Sequence, residues 1–189
     1  EALAAHRGSV LGDLPGEPQP SQKMFESRLW QRLEAMNPAR PVFVEAESKK
    51  IGNLRVPEAL IARMWASECV RVRASMNARI DLLLHEYAHF LEQPDRLGAR
   101  LDCLAPLHGR ERIARWKALA GAGDWPAFVR ELLQSHYDPA YAKSTLAHYP
   151  QLECARPVEI ERATPDEFAA AASALTGGAT SLRAAATLS

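Results

Sequence analysis

The sequence predicts an α/β fold in which a few short, mostly parallel strands carry helices, and a helical C-terminal region follows. Val42, Phe43 and Val44 form an apolar run of β-branched and aromatic residues, which is typical of a buried strand. Residues 69–73 alternate apolar and basic side chains, and residues 157–161 form a third candidate strand. Elsewhere, apolar residues recur every three or four positions, which predicts helices.

Capping residues mark where the predicted helices begin. Ser21, Asn77 and Asp124 are candidate N-caps, and residues 164–167, Thr-Pro-Asp-Glu, form a capping box with proline at the first helical position. Gly52 and Asn53 predict a turn. The predicted helices span residues 22–36, 57–67, 78–92, 96–104, 110–120, 125–135 and 138–147, with a last helix after residue 164.

The composition is that of an ordinary globular protein. The chain has 189 residues, of which 47% are hydrophobic, and its 23 basic and 23 acidic side chains cancel. Total charge therefore gives no support for nucleic-acid binding, which would need a local basic patch. Cys69, Cys103 and Cys154 are far apart and form no CxxC pair, so neither a disulfide framework nor a structural zinc site is indicated. We expect a reducing, cytoplasmic location, and no apolar run approaches the length of a membrane span.

A carboxylate follows the first predicted strand directly. In open α/β sheets, ligands bind outside the carboxyl ends of the strands. Glu45 would stand at such an end, where it could hold a metal-bound water or orient a nucleophile. The alternative is an ordinary surface acid at the end of a strand.

Residues 85–89, His-Glu-Tyr-Ala-His, match the HExxH pattern of zinc metallopeptidases. Two histidines four residues apart share one helix face and can bind zinc, and the glutamate can act as general base. A zinc site needs a third protein ligand, and the positions of the extended motif hold Glu92 and Asp95 in place of glycine and histidine. Two solvated histidines on an amphipathic helix explain the pattern equally well.

Several short stretches follow one another in a characteristic order and spacing along most of the chain. They are AHRGS at 5–9 with Gly12, QPSQ at 19–22 with Phe25, VFVE at 42–45 with Ile51 and Gly52, Arg79 with Glu86 and Tyr87, and HYDP at 136–139 with Tyr141. Together they resemble the C-terminal part of the bacterial tRNA 2-selenouridine synthase family.

The resemblance implies a partial P-loop NTPase-like fold. Residues 1–147 would form the C-terminal part of that domain with its helical region, and residues 148–189 a strand–helix extension and tail. Family members join a rhodanese-type domain to a P-loop domain, and they replace sulfur by selenium at the wobble 2-thiouridine of tRNA. The reaction is implied to use selenophosphate and to pass through a geranylated intermediate made from geranyl diphosphate, with Mg²⁺ as a candidate ion.

Two parts of the family pattern are absent from this sequence. No GxxxxGK[ST] loop and no rhodanese-like segment with a reactive cysteine occur in it, and the family places both upstream of the matching part. We therefore expect tRNA and the missing rhodanese and Walker A segment as partners, and an incomplete enzyme when this chain is alone.

The resemblance and the residue chemistry together give one catalytic candidate, Glu45, and a larger set of candidate substrate contacts. Basic and hydroxyl side chains suit phosphate and tRNA backbone, and tyrosines suit a stacked base. Capped turns, a solvated strand edge and helix packing are the competing explanations. The substrate candidates are His6, Arg7, Ser9, Gln22, Arg73, Arg79, Tyr137, Asp138 and Tyr141, with Arg71 beside them in the basic cluster. No residue is assigned to a metal.

Two other functions stay open from the sequence. One is a zinc metallopeptidase that uses His85, Glu86 and His89. The other is a non-enzymatic module that binds tRNA or a partner protein.

Overall fold

The computed structural model describes residues 2–9, 11–12, 14, 16–46, 49–91 and 94–186. It is a mixed α/β structure, mostly helical, with two short sheets, so the predicted mixture of helices and short strands is confirmed. One of the two described sheets is parallel and the other antiparallel, and the P-loop NTPase-like arrangement stays a prediction. The helices are α1 Gln22–Glu34, α2 Glu58–Trp65, α3 Met76–Glu86, α4 Ala88–Leu91, α5 Pro94–Asp102, α6 Ala105–His108, α7 Arg110–Gly121, α8 Trp125–Leu132, α9 Asp138–His148 and α10 Pro165–Ala186. No helix in this part of the chain is long and apolar enough to cross a membrane.

Each sheet has two strands. β1 Lys50–Ile51 and β2 Leu54–Arg55 pair antiparallel around the predicted turn, where Gly52 has a φ of 60°. A side chain at Gly52 would be strained by that φ and would collide with Gln19 and His6. β3 Val70–Ala74 pairs parallel with β4 Arg156–Ile160, so the strands expected near residues 69–73 and 157–161 are confirmed.

The strand predicted at residues 42–44 is wrong. The segment has no regular secondary structure, and Val42, Phe43 and Val44 are 48%, 49% and 57% exposed. A strand exists only where a neighbouring strand satisfies its backbone groups. The described strands pair only as β1 with β2 and β3 with β4, so none of them pairs with this segment.

The single helix predicted over residues 78–92 is two helices. α3 begins earlier, because the Ser75 hydroxyl accepts a hydrogen bond from the Ala78 amide at 3.1 Å and replaces Asn77 as the N-cap. α3 ends at Glu86, because the next residue, Tyr87, has a φ of −109° and a ψ of 23° outside the helical region. α4 begins at Ala88. Asn77 instead accepts a hydrogen bond from Arg130 of α8 at 3.0 Å.

Three predicted caps are confirmed. The side chains of Ser21, Asp124 and Thr164 accept hydrogen bonds from the amides of Met24, Ala127 and Glu167, each at 3.3 Å. The Glu167 carboxylate also accepts from the amides of residues 161–163. These contacts hold the pKa of Glu167 below its ordinary value, because they favour the charged form.

The main core lies between α3, α5, α7 and α8. Trp116, Leu97 and Leu101 are almost fully buried at its centre, and Phe128 and Leu132 of α8 pack against them. A smaller cluster forms around Ala4, Phe25, Ile51 and Leu54, where α1 covers the β1–β2 hairpin. The predicted division of the chain at residues 147 and 148 stays a prediction.

Candidate functional site

A cavity of about 1,200 Å³ lies between α3, α4 and α8 at the carboxyl ends of β3 and β4. Ala74 and Ser75 end one strand at this cavity, and Ile160 and Glu161 end the other. This is the position in which parallel sheets bind ligands. The N-terminal loop closes one side through Arg7, Ser9 and Leu11.

One wall of the cavity is a single continuous stripe along α8 and the start of α9. The two helices are joined by residues 133–137, which form a wider π-helical turn. The stripe is apolar along α8 and becomes polar in the turn and α9. Its members are Trp125, Phe128, Val129, Leu132 and Leu133, followed by Tyr137, Asp138 and Tyr141. The cavity therefore has a polar end around Tyr137, Asp138 and Tyr141 and an apolar side along α8. Phe128, Val129, Leu132 and Leu133 on that side belong to the main core and are only 4–9% exposed.

Three arginines line the cavity, and each is paired with a carboxylate. Arg79 of α3 makes two hydrogen bonds to Asp138, one of them of 3.1 Å, so the pair is bidentate. Arg7 lies 3.0 Å from the Glu86 carboxylate, and its guanidinium is 4.8 Å from the centre of the Tyr87 ring.

The third arginine has the loosest partner. Arg73 lies 3.8 Å from Glu159, and both side chains are more than half exposed. An exposed ion pair at that distance contributes little free energy, so its guanidinium can be drawn toward another anion at small cost.

Tyr137 presents a neutral hydroxyl to the cavity. Burial raises the pKa of Tyr137 to about 12, and interactions with the Ser9 side chain and the Leu11 backbone only partly oppose that effect. The phenol therefore stays protonated at neutral pH and can donate a hydrogen bond. Tyr141, one helical turn later, is 53% exposed at the mouth.

A histidine pair fixes the turn that carries Tyr137. His136 Nδ1 lies 3.0 Å from His108 Nε2 of α6, and the His108 ring packs on the edge of Trp116. Burial is the main cause that lowers the pKa of both histidines, so both are neutral at pH 7 and one donates to the other.

Eight of the ten residues predicted from the sequence line this cavity. They are Glu45, Arg7, Ser9, Arg73, Arg79, Tyr137, Asp138 and Tyr141. Their proposed roles stay predictions, but the fold brings together residues that are up to 134 positions apart, from Arg7 to Tyr141.

The other two predicted residues have structural contacts elsewhere. His6 is 5% exposed, and its Nδ1 accepts a hydrogen bond from the Gly8 amide at 2.9 Å. The Gln22 side chain makes two hydrogen bonds to the backbone of Arg55 in β2. It donates to the carbonyl at 2.7 Å and accepts from the amide at 2.9 Å. Arg71, named with the basic cluster, donates to the Leu152 carbonyl at 2.9 Å.

The sequence prediction missed the apolar wall of the cavity. Its side chains on α8 recur with the spacing of one helix face, and this pattern was visible in the sequence. The spacing alone does not distinguish a face that packs in the core from one that lines a cavity.

The structure also separates the two histidines of the HExxH pattern. His85 lies in α3 and His89 in α4, because the helix is interrupted at Tyr87 between them. Glu86, the residue that would act as general base, is paired with Arg7. Within the described residues, which omit 92 and 93, no three His, Cys, Asp or Glu side chains are grouped as a metal site requires.

Comparison with known proteins gives a consistent assignment. A family model described as the AAA domain of tRNA 2-selenouridine synthase matches residues 1–100. Residues 1–100 thus match a domain of the AAA type, and the α/β structure has a cavity at the carboxyl ends of β3 and β4. The chain belongs to the tRNA 2-selenouridine synthase family, as its resemblance to that family predicts.

Individual relatives carry the same name. The chain is 33% identical over 172 aligned residues to the tRNA 2-selenouridine synthase of Cupriavidus pinatubonensis and 31% identical to that of Marinobacter nauticus, and each match covers 75% of this chain and 46% of the relative. The match to the Shewanella halifaxensis protein is 40% identical and covers 47% of this chain and 25% of the relative. The chain spans less than half the length of these curated relatives. No solved structure matches.

We expect purified protein to contain far less than one zinc per chain, because the helix break and the Arg7–Glu86 pair separate the parts of the HExxH pattern. Elemental analysis after purification without chelators measures this. About one zinc per chain that is lost in His85→Ala would contradict the expectation and favour the metallopeptidase.

Proposed function

We propose that this chain supplies the prenyl-diphosphate pocket of a tRNA 2-selenouridine synthase. In the complete reaction that we propose, the sulfur of the wobble 2-thiouridine attacks C1 of geranyl diphosphate, so that a C–S bond forms, the C1–O bond breaks and diphosphate leaves. Selenium from selenophosphate then replaces that sulfur, which leaves with its geranyl group as a thiol, and water takes up the phosphoryl group. The observation that carries the proposal is the cavity, with an apolar side along α8 and three arginines in its lining.

The chemistry of geranyl diphosphate matches these two features. Its hydrocarbon chain gains free energy when the α8 wall removes it from water. Its diphosphate suits arginine, whose planar guanidinium binds phosphate oxygens through paired hydrogen bonds. Arg73 is the best placed of the three, because its own ion pair is the weakest.

The part of the cavity that geranyl diphosphate would leave empty is suitable for a nucleobase. Pockets for a single small ligand typically measure roughly 300–1,000 Å³, and this cavity of about 1,200 Å³ is larger. We propose that the wobble base enters at the exposed mouth, where Tyr141 can stack on it and the neutral Tyr137 hydroxyl can donate to it. The rhodanese and Walker A parts of the family would complete the enzyme.

Glu45 is the proposed catalytic residue. A carboxylate beside a diphosphate repels it unless a divalent cation or an ordered water lies between them. We therefore propose that Glu45 would hold Mg²⁺, which would offset the repulsion between the carboxylate and the diphosphate. The support is its position in the lining of the cavity with the three arginines.

Direct binding of geranyl diphosphate to this chain tests the proposal. We expect at least about 100-fold tighter binding than for inorganic pyrophosphate, because the hydrocarbon chain is buried as well. Arg73→Gln should weaken binding about tenfold, since one charge-assisted hydrogen-bonding group is lost at an exposed site. Arg28→Gln, on the exposed face of α1, is the matched control and should change little. Equal affinities for the two ligands in isothermal titration would favour the non-enzymatic module instead.

Glu45→Gln tests the proposed magnesium contact. With wild-type protein, Mg²⁺ should tighten geranyl diphosphate binding, and in the variant this gain should disappear. Without Mg²⁺ the variant should bind as tightly as wild type or more so, because a repulsive charge has been removed. Glu34→Gln, at the exposed end of α1, serves as the control. A variant that keeps the full magnesium effect would show that Glu45 is a surface acid.

Binding of tRNA by this chain should be weak, and the affinity should fall as the salt concentration rises. Three arginines of the basic cluster already have protein partners, so few are available for phosphate. Each phosphate contact contributes a log–log slope of about −0.7 to −0.9, so we expect a total slope between about −1 and −3. Filter binding at several salt concentrations measures this slope. Affinity that does not change with salt would contradict a phosphate contact, and a slope far steeper than this range would reveal a second basic surface.

A further inference from the structure

His6 is a buried polar side chain that directly precedes Arg7, one of the arginines of the cavity. The residue is 5% exposed, and its Nδ1 accepts a hydrogen bond from the Gly8 amide at 2.9 Å. This bond from residue 8 back to residue 6 closes a tight turn, and Gly8 has a φ of 73°, which glycine adopts without strain. Arg7 is the middle residue of the turn, so the direction of its side chain depends on the His6 ring.

The His6 ring packs against the backbone of two glycines from different segments. A β-carbon at Gly12 would lie 2.9 Å from Cε1 of the ring, and one at Gly52 would lie 2.8 Å from Cδ2. Real β-carbons essentially never approach other atoms so closely, so both backbones are in direct contact with the ring. The β1–β2 hairpin and the return of the N-terminal loop therefore hold the ring together.

Hydrogen bonds fix the loop on both sides of the turn. The Arg7 amide donates to the Gly12 carbonyl at 2.8 Å. The Gln19 side chain donates to the carbonyls of Ala4 and Ile51, at 3.1 and 3.0 Å, and so joins the start of the loop to β1. The backbone from which the Arg7 side chain extends is thus anchored to the hairpin.

The Arg7 side chain then extends from this fixed backbone to the end of α3. It donates to the Glu86 carbonyl, lies 3.0 Å from the Glu86 carboxylate, and has its guanidinium 4.8 Å from the centre of the Tyr87 ring. A long side chain loses much rotamer freedom when it is held in this way. All three contacts require a backbone that starts in the right place, and His6 is the buried group nearest to it in sequence.

We propose that His6 is a positioning residue, whose buried ring holds the N-terminal loop so that Arg7 closes one side of the cavity. His6 itself would touch no substrate, in contrast to the role predicted for it from the sequence. The inference rests on the proposed function only in one respect, namely that Arg7 meets the diphosphate. The position of Arg7 can be measured without any ligand.

The NMR signal of the Arg7 Nε–H group measures this position. The signal, assigned by its loss in Arg7→Lys, should be shifted from that of a mobile arginine by the adjacent Tyr87 ring. His6→Asn should keep most of the shift, because the carboxamide oxygen can take the place of Nδ1 as acceptor for the Gly8 amide. His6→Gln, whose oxygen lies one bond further out, should lose the shift. The proposal is refuted if both variants keep the shift or if both lose it.

Two controls distinguish positioning from a general loss of stability. The Arg79 Nε–H signal should stay in place in every variant, because its partner Asp138 belongs to α9. Phe25→Leu alters a buried side chain of the small core cluster, and should lower the midpoint of thermal unfolding without moving the Arg7 signal. If Phe25→Leu abolished the Arg7 shift as His6→Gln does, the signal would report on stability alone and the proposal would be overturned.

A double-mutant cycle tests whether His6 acts on ligand binding through Arg7. Arg7→Gln and His6→Gln should each weaken geranyl diphosphate binding about three- to tenfold, since each removes the same charge-assisted contact. The double variant should bind no more weakly than Arg7→Gln alone, whereas additive losses would refute the proposal. If wild-type protein binds geranyl diphosphate no more tightly than pyrophosphate, the proposed function fails, and the NMR measurement still decides the role of His6.

Discussion

The ion pair between Arg79 and Asp138 holds the two walls of the cavity together. Arg79 lies in the first turn of α3 and Asp138 is the first residue of α9, so their two hydrogen bonds join elements that are 59 positions apart in sequence. Both side chains are about one third exposed, and such a pair contributes about 1 kcal/mol or less to stability. Its importance is geometric, because it sets where the polar end of the α8 stripe lies relative to α3.

Sequence patterns predicted the helices well, because helix ends depend on local contacts. Ser21, Asp124 and Thr164 each cap a helix through an amide three residues further on. The break at Tyr87 was not predictable in this way. It occurs at a contact with Arg7, which donates a hydrogen bond to the Glu86 carbonyl at the end of α3 and lies over the Tyr87 ring. Arg7 and Glu86 are 79 positions apart in sequence. No local pattern contains that contact.

Strands depend on partners that are distant in sequence, and here prediction succeeded only in part. β3 and β4 were recognised, and they pair across more than 80 positions. Residues 42–44 have the same strand-forming composition but no described partner, and they are exposed. Val72 of β3 is likewise 59% exposed, although parallel strands are normally covered on both faces.

The candidate site was predicted mainly through the family resemblance, since no spacing rule connects Arg7, Arg73 and Tyr137. The cavity adds a physical reason for their grouping. Each arginine in its lining is already neutralised by a carboxylate, which agrees with the zero net charge of the chain. An anion that enters the cavity must therefore displace a carboxylate. This costs least at Arg73, because its ion pair with Glu159 is the longest of the three and both side chains are more than half exposed.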